Sequence, residues 1–260
     1  MRSKENPARR ALGFSESGVL SSRSVMLPEL RTLLAVAPPD ANVDTFSRLV
    51  VDEDTLHKAS AANRRKTFAF LMRLYGLDPG MAIYREFRRL SRLFPGDLRG
   101  LAALLAFARE PLLRACSEMV LRTATGKSLA REDFEAWVRE FAPRRFSEAM
   151  YISFSHNLYA SFFQLGYLGA SVNGRRLRKR PAVHPSSVAY AAFLDWLSGL
   201  NGLTLLDATY SRALQLGRAE HLGLLSAAGQ LGLMRVANAG GVLHLDFSSW
   251  LRRGEARLSQ

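Results

Sequence analysis

Cysteine is almost absent from this 260-residue chain: Cys116 is the only one. No disulfide can form within the chain and no CxxC motif exists, which fits a reducing compartment. Cys116 itself reads as a buried structural thiol. Long apolar runs are missing as well. Residues 100–108 and 222–234 are the most apolar stretches, and both fall short of the roughly 20 residues a membrane-spanning helix needs. The N-terminus is polar and charged through Arg10, without the apolar core of a signal peptide. The expectation is a cytoplasmic protein with no membrane partner.

Catalytic and metal-binding patterns are also missing. His57, His156, His184, His221 and His244 are scattered, with no HxxxH or HExxH spacing. Gly126-Lys127-Ser128 resembles the tail of a phosphate-binding loop, but Ala124-Thr125 stands where the glycine lead-in belongs. Glu132 and Asp133 are adjacent and leave a helix in different directions, so they form no facing acid–base pair. The chain reads as a non-enzymatic protein without cofactor or metal.

What is abundant is positive charge. Thirty-six Lys and Arg stand against 23 Asp and Glu, giving a formal net charge of +13 and a pI near 10.6. Such a surplus attracts polyanions. Only Lys4, Lys58, Lys66, Lys127 and Lys179 are lysine; the remainder is arginine, suited to bidentate phosphate contacts.

The most informative local pattern is a basic hairpin. Residues 167–172 read as a strand and Asn173-Gly174 as a tight two-residue turn, because both positions need φ > 0. Residues 175–180 (Arg175, Arg176, Leu177, Arg178, Lys179, Arg180) read as the return strand. Strand alternation places Arg176, Arg178 and Arg180 on one face and Leu177, as an anchor, on the other. A long apolar helix over 146–165 precedes it. Helix followed by basic hairpin is the order that ends a winged-helix unit; a solvated edge strand charged against aggregation is the other reading.

Three further basic clusters stand out. Arg64-Arg65-Lys66 opens a helix capped by Ser60 and running to Tyr75. Cations there oppose the helix dipole, so either an anion such as a DNA phosphate sits there or the charges are simply solvated. Arg85, Arg88, Arg89 and Arg92 recur at helical spacing, as a phosphate-tracking ridge or a solvated face. Arg144-Arg145 precedes the long helix.

The remaining helices are expected over 22–36 (interrupted early by Pro28), 44–57 in part, 82–94, 98–108, 111–123 and 128–141, the last capped by Ser128. Beyond Pro181 the chain turns near-neutral. It reads as helices over 187–197, 203–216 and 219–231 followed by a hairpin, 233–237 and 242–247, around 238–241. The expected fold class is mostly α, a helical bundle with winged-helix-like units each closed by a short β-hairpin. The expected organisation is a disordered or loosely docked N-terminus (1–13), a basic helical domain (14–182), a near-neutral winged-helix-like domain (183–252) and a tail (253–260).

Several passages resemble the BrxA family of BREX anti-phage defence systems. Residues 52–65, an acidic approach to Lys58-Ala59-Ser60 and a basic helix, are similar to that family's pattern. So are the Ala/Leu-rich 101–113, residues 157–168 ending in Gly166-Tyr167-Leu168 before a basic strand, and the Ser- and Leu-rich 14–34. The resemblance covers about 14–197. It implies a helical accessory protein that binds double-stranded DNA without catalysis, alongside methyltransferase and ATPase partners. The near-neutral C-terminal segment is expected to contact a protein partner or a second copy of the chain, with Trp250 or Tyr210 as an anchor or as core. The rival reading is a scaffold whose basic face meets an acidic partner or RNA.

Overall fold

The computed structural model describes residues 6–255 apart from 17, 19, 21 and 240. In chain order its helices begin with α1 (Pro7–Leu12), α2 (Leu27–Val36), α3 (Val43–Ser47), α4 (Ala61–Tyr75), α5 (Ala82–Leu93), α6 (Leu98–Arg109) and α7 (Pro111–Arg122). Strand β1 (Ser128–Ala130), α8 (Arg131–Phe141), α9 (Glu148–Gln164), β2 (Leu168–Val172) and β3 (Arg175–Arg178) follow. The chain continues with α10 (Pro185–Trp196), α11 (Thr209–Ala213), α12 (Arg218–Gln230), β4 (Arg235–Ala239) and β5 (Val242–Asp246). The fold is mostly helical with two small antiparallel sheets, as the sequence predicts.

The helix ends follow local chemistry. Ser60 accepts the Asn63 amide at 3.2 Å, Asn42 the Thr45 amide at 2.9 Å, and Ser147 the Met150 amide at 3.4 Å. Pro28 does not break a helix; it lies in the first turn of α2, where its missing N–H costs nothing. The chain before it, residues 22–26, is not helical.

Two compact units emerge, and their composition differs from the sequence expectation. A central unit comprises 16–79 and 109–180; a terminal unit comprises 1–15, 80–108 and 181–260. The boundary near 181 agrees with the change in composition. Residues 80–108, expected in the basic domain, belong instead with the C-terminal segment. Residues 7–12, expected to be loosely docked, form α1, and Leu12 is fully buried. The reason is packing. Gly13 turns with φ 108° so close to Met81 and Ile83 that an added Cβ would lie 2.8–2.9 Å from them. Phe14 is buried beside Tyr210 with their rings 6.3 Å apart. Residues 1–5 and 256–260 of the two expected ends lie outside the described residues.

The central unit contains the element order of a winged helix, α7–β1–α8–α9–β2–β3, with strand order β1-β3-β2. Strand β1 corrects the sequence reading, in which Ser128 capped a helix. Ser128 pairs with Leu177 in the sheet, and the helix starts at Arg131, where the Asp133 carboxylate accepts the Ala130 amide at 2.7 Å. The core of this unit includes Phe134, Val138, Leu158, Phe162 and Tyr167, with Phe134 and Phe162 rings 5.9 Å apart. Cys116 is buried there, and loss of hydration pushes its thiol pKa well up, so it stays a thiol.

The terminal unit repeats the order with one substitution. Its central helix is α10, buried continuously from Ser186 to Asp195. The segment predicted as one helix over 203–216 is a 3₁₀ turn (Gly202–Asp207) followed by the short α11. The 3₁₀ turn packs beside β5, where β1 lies in the other unit's sheet. The Asp195 carboxylate joins α10 to the start of α11 by accepting the Tyr210 and Ser211 amides at 3.1 and 2.8 Å. Tyr210 and Trp250 are both buried core residues, and the Trp250 indole donates to the Leu233 carbonyl at 2.6 Å. Asn238 and Ala239, predicted as part of a turn over 238–241, instead pair with Leu243 and Val242 at the end of β4, with Gly240 outside the described residues.

Candidate nucleic-acid interface

Helix α9 is the spine of the candidate site. Tyr151, Phe154, Ser155, Leu158 and Phe162 face the core. Advancing about 100° per residue, the opposite face presents Ala149, Ile152, His156 and Phe163, all exposed. The two flanks between those faces are occupied differently. On one flank, Leu20 and residues 22–27 run beside the helix. The Asn157 amide donates to the Leu20 carbonyl at 2.6 Å, and the Ser161 hydroxyl accepts the Val25 amide at 3.0 Å. Gln164 accepts the Leu27 amide at 3.0 Å and donates to Ser24 Oγ at 3.0 Å. On the other flank sits the wing. The Tyr159 hydroxyl donates to the Gly174 carbonyl at 3.1 Å, pinning the turn to the helix.

The wing turn forms as predicted, with φ 49° at Asn173 and 78° at Gly174. Its return strand does not face as predicted. Strand β3 is the middle strand of its sheet, and its alternation has the opposite phase: Leu177 is 49% exposed while Arg178 is 1% exposed. Arg178 is therefore no surface residue. Its guanidinium donates to the carbonyls of Val120 (2.8 Å), Tyr167 (3.4 Å) and Lys179, and lies 5.5 Å from the Tyr167 ring. Burial lowers its pKa, and the carbonyl from the last turn of α7 supplies partial negative charge in return. Hydrophobic alternation was too short here to fix the phase, because both neighbours of Leu177 are arginine.

The other wing cations divide by face. Arg176 lies inward, its guanidinium 3.8 Å from the centre of the Phe163 ring and 5.0 Å from that of Tyr159, with a hydrogen bond to the Gly169 carbonyl at 3.3 Å. Arg175 is exposed; it donates to Ser128 Oγ at 3.1 Å and approaches Asp133 at 3.8 Å. Lys179 and Arg180 are exposed beyond the strand end.

The opposite flank carries a cation that sequence reading missed. Arg23, in the segment along α9, donates to Asn63 Oδ1 at 3.1 Å and so ties that segment to the first turn of α4. Arg23 and Lys66 lie 6.0 and 5.8 Å from the Phe70 ring. Arg65 and Lys66 are exposed, whereas Arg64 is half-buried and pairs with Asp54 at 3.6 Å. The only sequence clue to Arg23 was its place in a Ser-rich segment, which carries no periodic signal.

Arg144 and Arg145 occupy the turn between α8 and α9, both exposed, with Arg145 stacked 5.8 Å from Phe146. Nearby charge is balanced internally: Arg139 bridges Glu135 and Glu148 at 2.8 and 2.6 Å, which lowers the Glu148 pKa.

The ridge of Arg85, Arg88, Arg89 and Arg92 belongs to the terminal unit and is not a free cationic track. Arg85 grips Glu255 at 2.6 Å and the Trp250 carbonyl at 3.2 Å. Arg89 pairs with buried Glu86 at 2.6 Å and stacks 4.9 Å from Trp250. Arg88 is half-buried, and Arg92 is exposed. Neither of the two sequence readings, a phosphate-tracking ridge or a solvated face, anticipated Glu255, which lies far along the chain.

Among the described residues no group of three His, Cys, Asp or Glu is arranged to hold a metal ion, and no helix is long and apolar enough to cross a membrane. Neither a known protein-family model nor a characterised protein matches the chain.

Proposed function

We propose that this chain is a non-enzymatic duplex-DNA-binding protein acting mainly on phosphates. The observation that carries the reading is the surround of the exposed α9 face. Arg23, Arg65 and Lys66 belong to elements on one flank, Arg175, Lys179 and Arg180 to the wing on the other, and Arg144 and Arg145 to the turn before the helix. A duplex groove laid along α9 would bring its two phosphate ridges toward those flanks.

The floor of this trough supports sequence tolerance. Asn157 and Gln164, the amide side chains of α9, are spent on Leu20, Ser24 and Leu27. The exposed stripe holds no Arg, Lys, Asn or Gln, so it has little with which to read base edges. The resemblance to the BrxA family supports a role in a cytoplasmic BREX-like defence system beside methyltransferase and ATPase subunits. The near-neutral C-terminal segment would meet a partner or a second copy.

Fluorescence anisotropy of a labelled duplex under a salt titration tests the proposal. Expected is a steep fall in affinity with salt, similar for unrelated sequences. Preferential binding of structured RNA over duplex DNA would favour the scaffold reading instead.

A further inference from the structure

The central unit holds a second feature of opposite character. A groove of about 560 Å³ lies between α7 and α8, lined by Ala115, Met119, Trp137 and Phe141, with Glu118, Arg122 and Glu140 at its edge. Trp137 and Phe141, one helical turn apart, stack with centroids 4.8 Å apart and planes within 17°. Phe141 is 53% exposed, so the stack opens to solvent instead of closing a core. Arg122 is drawn to Glu118 at 3.4 Å. Glu140 is exposed and has no ion-pair partner among the described residues. None of the lining residues belongs to α9 or the wing.

We infer that this groove docks a basic amphipathic helix of a partner protein. The apolar floor fits the i, i+3, i+4, i+7 side chains of a helix laid across α7 and α8. A stacked pair of half-buried Trp137 and exposed Phe141, with a flexible Met beside it, has the composition of an interface anchor. The rim selects the charge. In a chain of net charge +13, the Glu140 carboxylate left beside an open aromatic groove, with Glu118 offset by Arg122, repels phosphate and favours Lys or Arg at the edge of the incoming helix. The inference does not depend on DNA binding.

The test uses two labelled 14-residue helical peptides with the same leucine stripe, one with lysine and the other with glutamate at the remaining positions. Binding to the full chain is followed by anisotropy at moderate salt. Expected is saturable binding of the lysine peptide, against the net charge of the protein. Trp137→Ala should weaken it at least tenfold. Glu140→Lys, a surface change that leaves the core alone, should weaken it at least threefold and move the preference toward the glutamate peptide. Affinity for duplex DNA should stay unchanged in both variants. No binding of the lysine peptide, or binding indifferent to both substitutions, would overturn the inference. So would self-association of the chain that Glu140→Lys or Trp137→Ala dissolves, since the occupant would then be a second copy.

Discussion

At the scale of single residues, two buried charged groups carry the clearest consequences. Arg178 lies where the sequence asked for a phosphate ligand, and it serves as a fastener between α7 and the wing sheet. Arg178→Met would leave the carbonyls it serves without a donor, at a cost of about 2–3 kcal/mol. Thermal unfolding should show a lower midpoint, while the salt dependence of DNA binding by the folded variant should not change. A reduced salt slope with unchanged stability would return Arg178 to the surface. Asp195 is the second group. Burial raises its pKa to about 6 from an ordinary 3.8, despite the opposing hydrogen bonds from the Tyr210 and Ser211 amides. A carboxyl raised on folding contributes stability that is complete below about pH 4 and is lost as pH rises through about 6. The rise from 3.8 to about 6 corresponds to about 3 kcal/mol across that window. Denaturant unfolding of the wild type and Asp195→Asn from pH 4 to 7 should therefore diverge in slope, with the variant flatter. It should also be less stable at low pH, since an amide offers one acceptor oxygen for two N–H groups. Parallel profiles would contradict the assignment.

At the scale of elements, the wing depends on its attachment to α9. Arg176 stacks on Phe163 and Tyr159, and the Tyr159 hydroxyl holds the Gly174 carbonyl. Replacing Arg176 by Ala removes a stacked cation of about 0.5–2 kcal/mol and should loosen the hairpin. Hydrogen exchange at 168–178 should speed up without a comparable change in α10 or α12; uniform protection would show that the stack does not hold the wing. The elements also show what the chain made legible. The hairpin turn was readable because Asn-Gly demands a backbone few other pairs accept. The long helices were readable from their apolar stripes. Strand β1 was not, because three residues cannot show an alternation and Ser128 also has the chemistry of a helix cap. The facing of β3 was hidden for a related reason: a strand flanked by arginines reveals which side is buried only through its partners, α7 and α9. Arg23 was hidden because its role comes from a contact with Asn63, forty residues on.

At the scale of the whole molecule, the change of composition at Pro181 coincides with a division between the two compact units, and composition alone does not show that 80–108 belongs to the terminal unit. That grouping rests on contacts distant in sequence, such as Ser186 Oγ to Asp97 at 2.6 Å and the Tyr190 hydroxyl to the Ile83 carbonyl at 2.8 Å. It also reassigns the Arg85–Arg92 ridge. Arg85 and Arg89 are ion-paired within the unit, so Arg85→Ala should destabilise the terminal unit by freeing Glu255 while leaving the salt slope of DNA binding intact.

The most direct measurement is that salt slope itself, compared between the wild type and a variant in which Arg65, Lys66, Arg144 and Lys179 are all alanine. Each phosphate contact contributes a slope of about 0.9 on duplex DNA. The folded variant should lose affinity for unrelated duplexes alike and show a slope shallower by about 3–4. An unchanged slope in a variant with native stability would contradict the proposal that α9, flanked by these cations, is the face that meets DNA.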